Sequence, residues 1–166
     1  MASDYSFDIT SDFDHQEMIN AIDQTRREIE NRFDFKGVLV EIDYAEKEKT
    51  LTIHTESDYK LTAIIDILES KMVKREISLK VLDKDSALEM ASGGTVRKKM
   101  TLRSGLSSED AKKISKMIRD EFSKAKPNIQ GEEIRVVSKS KDELQQIMTL
   151  LNQSDLDLPL QFGNYR

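Results

Sequence analysis

The chain has 166 residues, of which 37% are hydrophobic and 34% charged, with a net charge of −5 and no cysteine. This length suffices for one ordinary domain or two small ones, and the composition excludes a disordered or fibrous chain. The missing cysteines exclude a disulfide framework, a thiol nucleophile and a thiolate metal site.

The first half of the sequence predicts six elements in the order β-α-β-β-α-β. They are a strand at YSFDITS, a helix from the N-cap Asp14, strands at GVLVEIDY and TLTIHTE, a helix capped by Ser57 or Asp58, and a strand at ISLKVL. The strands alternate apolar and polar residues, whereas the helices repeat apolar residues every three or four positions. This order is the split βαβ or ferredoxin-like arrangement, in which two helices cover one face of an antiparallel sheet.

The second half predicts a similar series after the linker-like segment DSALEMASGG. It comprises a strand at TVRKKMTLR, a helix capped by Ser107 or Ser108, a short hairpin of NIQG and EEIRVVS, a helix at KDELQQIMTLL and a strand at LPLQFGNY. A shift of 83 positions places Ser57 on Ser140 and Leu61 on Leu144, in the same element. We therefore predict an α+β protein of two duplicated ferredoxin-like units, residues 1–90 and 91–166.

The segment NRFDFKG, at the end of the first predicted helix, interleaves aromatic and cationic residues. Phe33 continues the apolar stripe of the helix and is predicted to lie in the core. Phe35 is open to two interpretations, a core anchor or a platform for a nucleotide base. Arg32 and Lys36 are free to reach a phosphate in either case.

Strand alternation places further cations on the polar face of each predicted sheet. Residues 97–126 hold ten Lys or Arg against four Asp or Glu, although the lysines at 112, 113, 116 and 124 are explained as well by solvation of a helix. The outward-facing candidates for binding are Arg97, Lys99, Arg103, Gln130, Arg135 and Lys139. Ferredoxin-like RNA-binding domains bind single strands on such a face, but the aromatic residues on which they stack bases are missing from these strands. A stacked base would need Phe33, Phe35, Phe162 or Tyr165.

The residues that could support catalysis are few. His15 and His54 are the only histidines and lie in different predicted elements, so neither a histidine metal cluster nor a Ser/His/Asp set is indicated. The turn SGLSSED follows a strand ending in Arg103 and could present backbone N–H groups to a phosphate, or it could be a plain capped turn. We expect no enzyme activity, no metal and no cofactor.

Several of these motifs, in this order, resemble the YajQ family of bacterial nucleotide-binding proteins. The resemblance rests on SFDI, REIENRFDFKG, TESD, TLRSGL, IQGEEIRV, SKSKDELQQIM and PLQFGNYR. It implies that the two units exchange their first strands, with residues 5–10 joining the second repeat and residues 95–103 joining the first. It also implies binding of nucleotides, RNA or cyclic di-GMP, without an established enzymatic reaction.

Three functions stay open at this stage. The preferred hypothesis is a non-enzymatic nucleotide-binding protein, responsive to a cyclic dinucleotide and acting through a partner such as a transcription regulator or a nucleic acid. The second is an RNA-binding or tRNA-binding module, and the third is a hydrolase of phosphoesters or acylphosphates. No apolar run approaches the roughly 20 residues of a membrane span, and MASDYSFDIT lacks the features of a signal peptide. We therefore expect a cytoplasmic protein without membrane contact.

Overall fold

The structure, a computed structural model, describes residues 4–156 and 158–166. Its strands are β1 (Tyr5–Thr10), β2 (Val40–Ala45), β3 (Thr50–Thr55), β4 (Leu82–Asp83), β5 (Glu89–Met90), β6 (Val96–Leu102), β7 (Lys126–Gln130), β8 (Glu133–Ser138) and β9 (Gln161–Gly163). Its helices are α1 (His15–Asn31), α2 (Asp58–Lys74), α3 (Ser108–Glu121) and α4 (Lys141–Asn152), with short 3-10 turns at Phe33–Phe35, Leu79–Val81 and Ser92–Gly94. The predicted α+β class is confirmed.

The chain divides into two compact units. The central unit comprises Phe13–Arg103, and the terminal unit comprises the segment ending at Asp12 together with Ser104–Arg166. Each unit contains an antiparallel sheet and two helices, as expected for ferredoxin-like units. The hydrophobic residues of each unit form a cluster of their own.

In the terminal unit the strand order is β7-β8-β1-β9, so the first strand of the chain lies inside this sheet. β1 pairs antiparallel with β8, where Phe7 lies opposite Val136, and with β9, where Ile9 lies opposite Phe162. Phe7 and Ile9 are fully buried and pack with the apolar residues of α3 and α4. A strand from the start of the chain thus completes the core of residues 104–166.

In the central unit the strand order is β2-β3-β6-β4, and β5 also pairs with β6. β6 lies antiparallel to β3, with His54 opposite Arg97 and Thr52 opposite Lys99. Val96, Met100 and Leu102 of β6 are buried with the apolar faces of α1 and α2. The alternate residues of β6 therefore lie on the sheet face that the helices leave open.

The helix starts follow the capping signals in the sequence. Asp14, Ser57, Ser107 and Ser140 each accept a hydrogen bond from a backbone N–H in the first turn of the helix that follows. Of the paired alternatives, Ser57 caps α2 and Ser107 caps α3. These caps satisfy donors that a helix leaves unpaired at its start.

Three predicted segments differ in the structure. ISLKVL forms the 3-10 turn Leu79–Val81 and contributes only Leu82 to β4, because Ile77, Val81 and Leu82 are buried without the alternation that a strand requires. The predicted strand LPLQFGNY is limited to β9, and the predicted linker contains β5, which pairs with β6.

None of the helices in the described part of the chain is long and apolar enough to cross a membrane.

Candidate functional site

The ten residues predicted to bind a nucleotide are divided between the two units. The central unit carries Arg32, Phe35, Lys36, Arg97, Lys99 and Arg103, and the terminal unit carries Gln130, Arg135, Lys139 and Phe162. Their binding roles stay predictions, but the structure shows how far each side chain is already engaged within its own unit.

The loop after α1 exposes a different phenylalanine from the one predicted. Phe35 is 4% exposed and serves as a core anchor, whereas Phe33 is 89% exposed, so the prediction that Phe33 lies in the core was wrong. The reason is local, because Arg32 has an extended backbone (φ −91°, ψ 129°) and ends the helix. Phe33 therefore leaves the stripe of α1, and the 3-10 turn directs Phe35 inward instead.

Two of the cations around this loop already have partners. Nε and Nη2 of Arg32 donate to the two carboxylate oxygens of Asp34, each at 2.9 Å. These bonds hold the pKa of Asp34 below its ordinary value and raise that of Arg32. Lys60 lies 4.8 Å from the centroid of the Phe35 ring and donates to the carbonyl oxygen of Asp34. Lys36 is exposed and forms no ion pair with any described residue.

Arg97 and Lys99 lie side by side on the open face of the central sheet. Both are exposed, and neither forms an ion pair within the described residues. Across the ladder from Arg97, His54 is hydrogen bonded to Thr95 (Nε2 to Oγ1, 2.8 Å) and lies 3.6 Å from a carboxylate oxygen of Glu41. Since residues two apart on a strand are separated by about 6.6 Å, this face presents two free cations at close spacing.

Arg103, by contrast, is tied to the end of its own sheet. It donates through Nη1 to the carbonyl oxygen of Lys80 at 2.9 Å, and its Nη2 lies 3.4 Å from a carboxylate oxygen of Asp83. A phosphate at this position would have to compete with Asp83.

On the open face of the terminal sheet, the predicted cation Arg135 is paired with Asp8. Arg135 Nε donates to Asp8 Oδ1 at 2.9 Å, and Asn164 donates to Asp8 Oδ2 at 2.8 Å. The Arg135 hydrogen bond is the largest cause of the lowered pKa of Asp8, and Asn164 lowers it further against the effect of burial. Gln130, at the end of β7, is exposed opposite Glu133.

The ring of Phe162 belongs to the core side of the terminal sheet. Its centroid lies 5.6 Å from that of the buried Phe7, edge to face. Tyr165 is 63% exposed and stacks on Phe7 at 6.4 Å. In this unit Tyr165 therefore offers more accessible ring surface than Phe162.

The turn SGLSSED is occupied by a carboxylate where a phosphate was envisaged. Gly105 has a φ of 81°, and a Cβ at this position would lie 2.9 Å from a carboxylate oxygen of Glu132. The Ser107 hydroxyl accepts from the N–H of Asp110 and caps α3. The geometry favours the plain capped turn over a phosphate loop, since Glu132 would repel an anion.

The sequence-based search missed two lysines that line a pocket of about 370 Å³ in the terminal unit. Lys124 and Lys126 line this pocket together with Lys139, which was a predicted binding residue. One interpretation of the sequence explained Lys124 as a lysine that solvates a helix, but it lies beyond the end of α3. The available signal was two lysines, Lys124 and Lys126, placed two residues apart just before and at the start of β7. Within residues 4–156 and 158–166, no His, Cys, Asp or Glu side chains form a group of three or more that could hold a metal ion.

Two antiparallel units with two helices each define a duplicated ferredoxin-like α+β protein. The model of the family described as "Nucleotide-binding protein YajQ-like" matches residues 5–166, and the chain belongs to this family. A nucleotide-binding protein of Synechococcus elongatus is 49% identical over the full length of both chains, and one of Synechococcus sp. (strain CC9605) is 51% identical. A nucleotide-binding protein of Roseiflexus castenholzii is 47% identical, again over the whole of both chains.

Proposed function

We propose that the chain is a non-enzymatic nucleotide-binding protein that responds to a cyclic dinucleotide such as cyclic di-GMP. In this proposal the ligand changes the affinity of the protein for a partner, either a transcription regulator or a nucleic acid. Membership of a family described by nucleotide binding supports the ligand class. The family description and the names of the relatives mention no reaction.

The observation that carries the proposal is the pair of free cations on β6. Arg97 and Lys99 are exposed on one open sheet face without ion pairs among the described residues, so a bound phosphate need not displace a carboxylate. A charge-assisted hydrogen bond from such a group contributes roughly 1.5 to 3 kcal/mol. Two phosphodiester groups in one small ring are suited to two cations about 6.6 Å apart along a strand.

Both histidines have partners, which supports binding over catalysis. The His54 ring is held between Thr95 and Glu41. The His15 ring packs on Phe13 at a centroid distance of 4.5 Å, with its Nδ1 3.3 Å from the Tyr44 hydroxyl. A general base needs a nitrogen within reach of the substrate proton, and these rings are used within the fold.

The test is calorimetric titration of the full chain with cyclic di-GMP, comparing wild type with Arg97→Ala, Lys99→Ala and Lys47→Ala. Lys47 is exposed in the turn between β2 and β3, so Lys47→Ala removes one positive charge away from the proposed site. We expect Arg97→Ala and Lys99→Ala each to weaken binding about tenfold or more, and Lys47→Ala to leave it unchanged. Equal affinities for all four proteins would overturn the assignment of β6.

A single-stranded RNA module is the alternative, and the open antiparallel sheet favours it, because ferredoxin-like domains bind single strands on this face. A hydrolase of phosphoesters or acylphosphates has only fold analogy in its support. Incubation with ATP, GTP and an acylphosphate separates the hydrolase from both binding functions. A Mg²⁺-dependent rate that one substitution abolishes would establish the enzyme.

A further inference from the structure

A pocket in the terminal unit collects three lysines that form no ion pairs with the described residues. Strand register brings part of the cluster together: Lys126 of β7 lies opposite Val137 of β8, and Lys139 lies just beyond the end of β8, two residues after Val137. Lys124 lies in the turn between α3 and β7, two residues before Lys126, and lines the same cavity. These lysines line a cavity of about 370 Å³, the lysine pocket, with Val137 and Glu143 also among its lining residues.

The wall of the lysine pocket also contains two carboxylates, Asp4 and Glu143. Glu143 is half-buried and held in place, because its Oε1 accepts a hydrogen bond of 2.7 Å from the buried Ser138 hydroxyl. Its backbone N–H donates to the Ser140 hydroxyl, which fixes the first turn of α4. Glu143 therefore lines, with a carboxylate held in place, the same cavity that the three lysines line.

This combination defines the chemistry of an occupant. Three ammonium groups favour a phosphate, and a fixed carboxylate requires hydroxyl or N–H donors on the same molecule. The volume lies at the lower end of the range for small-molecule pockets, roughly 300 to 1,000 Å³. A nucleoside monophosphate combines one phosphate with ribose hydroxyls at this size.

We propose that the lysine pocket is a binding site for a nucleoside monophosphate, with the phosphate at the lysines and ribose or base donors at Glu143. This site lies in the terminal unit and shares no residue with the Arg97 and Lys99 pair of the central sheet. It goes beyond the proposed function, because one terminal phosphate monoester carries more negative charge than one phosphodiester group of a cyclic dinucleotide. Three lysines around one group suit that higher charge.

The test is titration of the full chain with GMP, followed by calorimetry and by amide chemical shifts. Lys126→Ala and Lys139→Ala should each weaken GMP about tenfold or more, and the shift changes should concentrate at residues 123–126 and 137–143. The matched control is Lys112→Ala, an exposed lysine of α3 outside the pocket, which should bind GMP like wild type. Cyclic di-GMP affinity should be unchanged in both pocket variants.

Glu143→Gln supplies a readout of opposite sign for two probes. The substitution should weaken the binding of GMP, because the acceptor for the ribose or base donors loses its charge. It should strengthen the binding of inorganic phosphate, because a carboxylate that repels the anion is neutralised. If GMP binds equally to wild type and the pocket variants, or does not bind to wild type, the inference is wrong. If cyclic di-GMP still binds in that case, the proposed function stands and only the GMP site is refuted. If the wild-type protein binds neither GMP nor cyclic di-GMP, both proposals are refuted.

Discussion

Arg135 and Asp8 lie on neighbouring strands of the terminal sheet, with Nε 2.9 Å from Oδ1, although 127 residues separate them in the chain. Asp8 belongs to β1 and Arg135 to β8, and the ladder places them directly opposite each other. The pair therefore joins the start of the chain to a strand near its end. It also neutralises a cation that sequence patterning had assigned to ligand binding.

This pair predicts a pH-dependent contribution to stability. Since hydrogen bonding lowers the folded-state pKa of Asp8, its contribution is present above the unfolded pKa of about 3.9 and is lost as the pH falls through the folded value. Asp8→Asn should cost about 1.5 to 3 kcal/mol of unfolding free energy at pH 7 and progressively less below about pH 4. Urea unfolding at a series of pH values measures this, with the exposed Asp120→Asn of α3 as control. A cost that stays constant down to pH 3 would contradict it.

The loop after α1 predicts unequal costs for two neighbouring phenylalanines. Phe35→Ala removes a buried ring and should cost about 3 kcal/mol or more, whereas Phe33→Ala changes an exposed ring and should stay within about 0.5 kcal/mol. Urea midpoints of the two variants and wild type provide the comparison. Similar costs would mean that Phe33 is also packed in solution.

The placement of β1 predicts which half of the chain loosens when its core residues are truncated. Ile9→Ala should reduce hydrogen-exchange protection in residues 104–166 more than in residues 13–103, because Ile9 packs with α3 and α4. Ile53→Ala, the matched change in the central unit, should do the reverse. If Ile9→Ala loosened residues 13–103 first, the exchange of first strands would be refuted.

Salt dependence should separate a cyclic dinucleotide from RNA as the ligand. A single strand releases counterions, which adds about 0.7 to the slope of log K against log[salt] for each phosphate neutralised, whereas a cyclic dinucleotide should show a weak dependence. In wild type we expect the weak dependence, with affinity sensitive to Arg97→Ala. A short RNA that binds more tightly at physiological salt, with a steep slope that Lys99→Ala flattens, would favour the RNA module.

Local rules predicted most of the fold. Capping residues and apolar spacing predicted α1 to α4, and alternation predicted β2, β3, β6 and β8, because both signals act within a few residues. The same rules failed at Phe33, where one extended residue, Arg32, reset the phase of the helix. The same rules place Arg135 on the outward face, but nothing near it in the sequence indicates that Asp8 will lie opposite. Candidate binding residues are predictable as outward-facing, but their partners depend on strand pairing across the whole chain.

The position of β1 also sets an order of events during synthesis. Residues 13–103 form a contiguous segment that holds all the strands and helices of the central unit, so this unit can close once it has left the ribosome. β1 leaves first but must wait for β8 and β9, roughly 125 to 150 residues later, which takes on the order of ten seconds at 5 to 20 residues per second. During that interval Phe7 and Ile9 have no partner strand, so the nascent chain carries an unprotected apolar segment that a chaperone could cover.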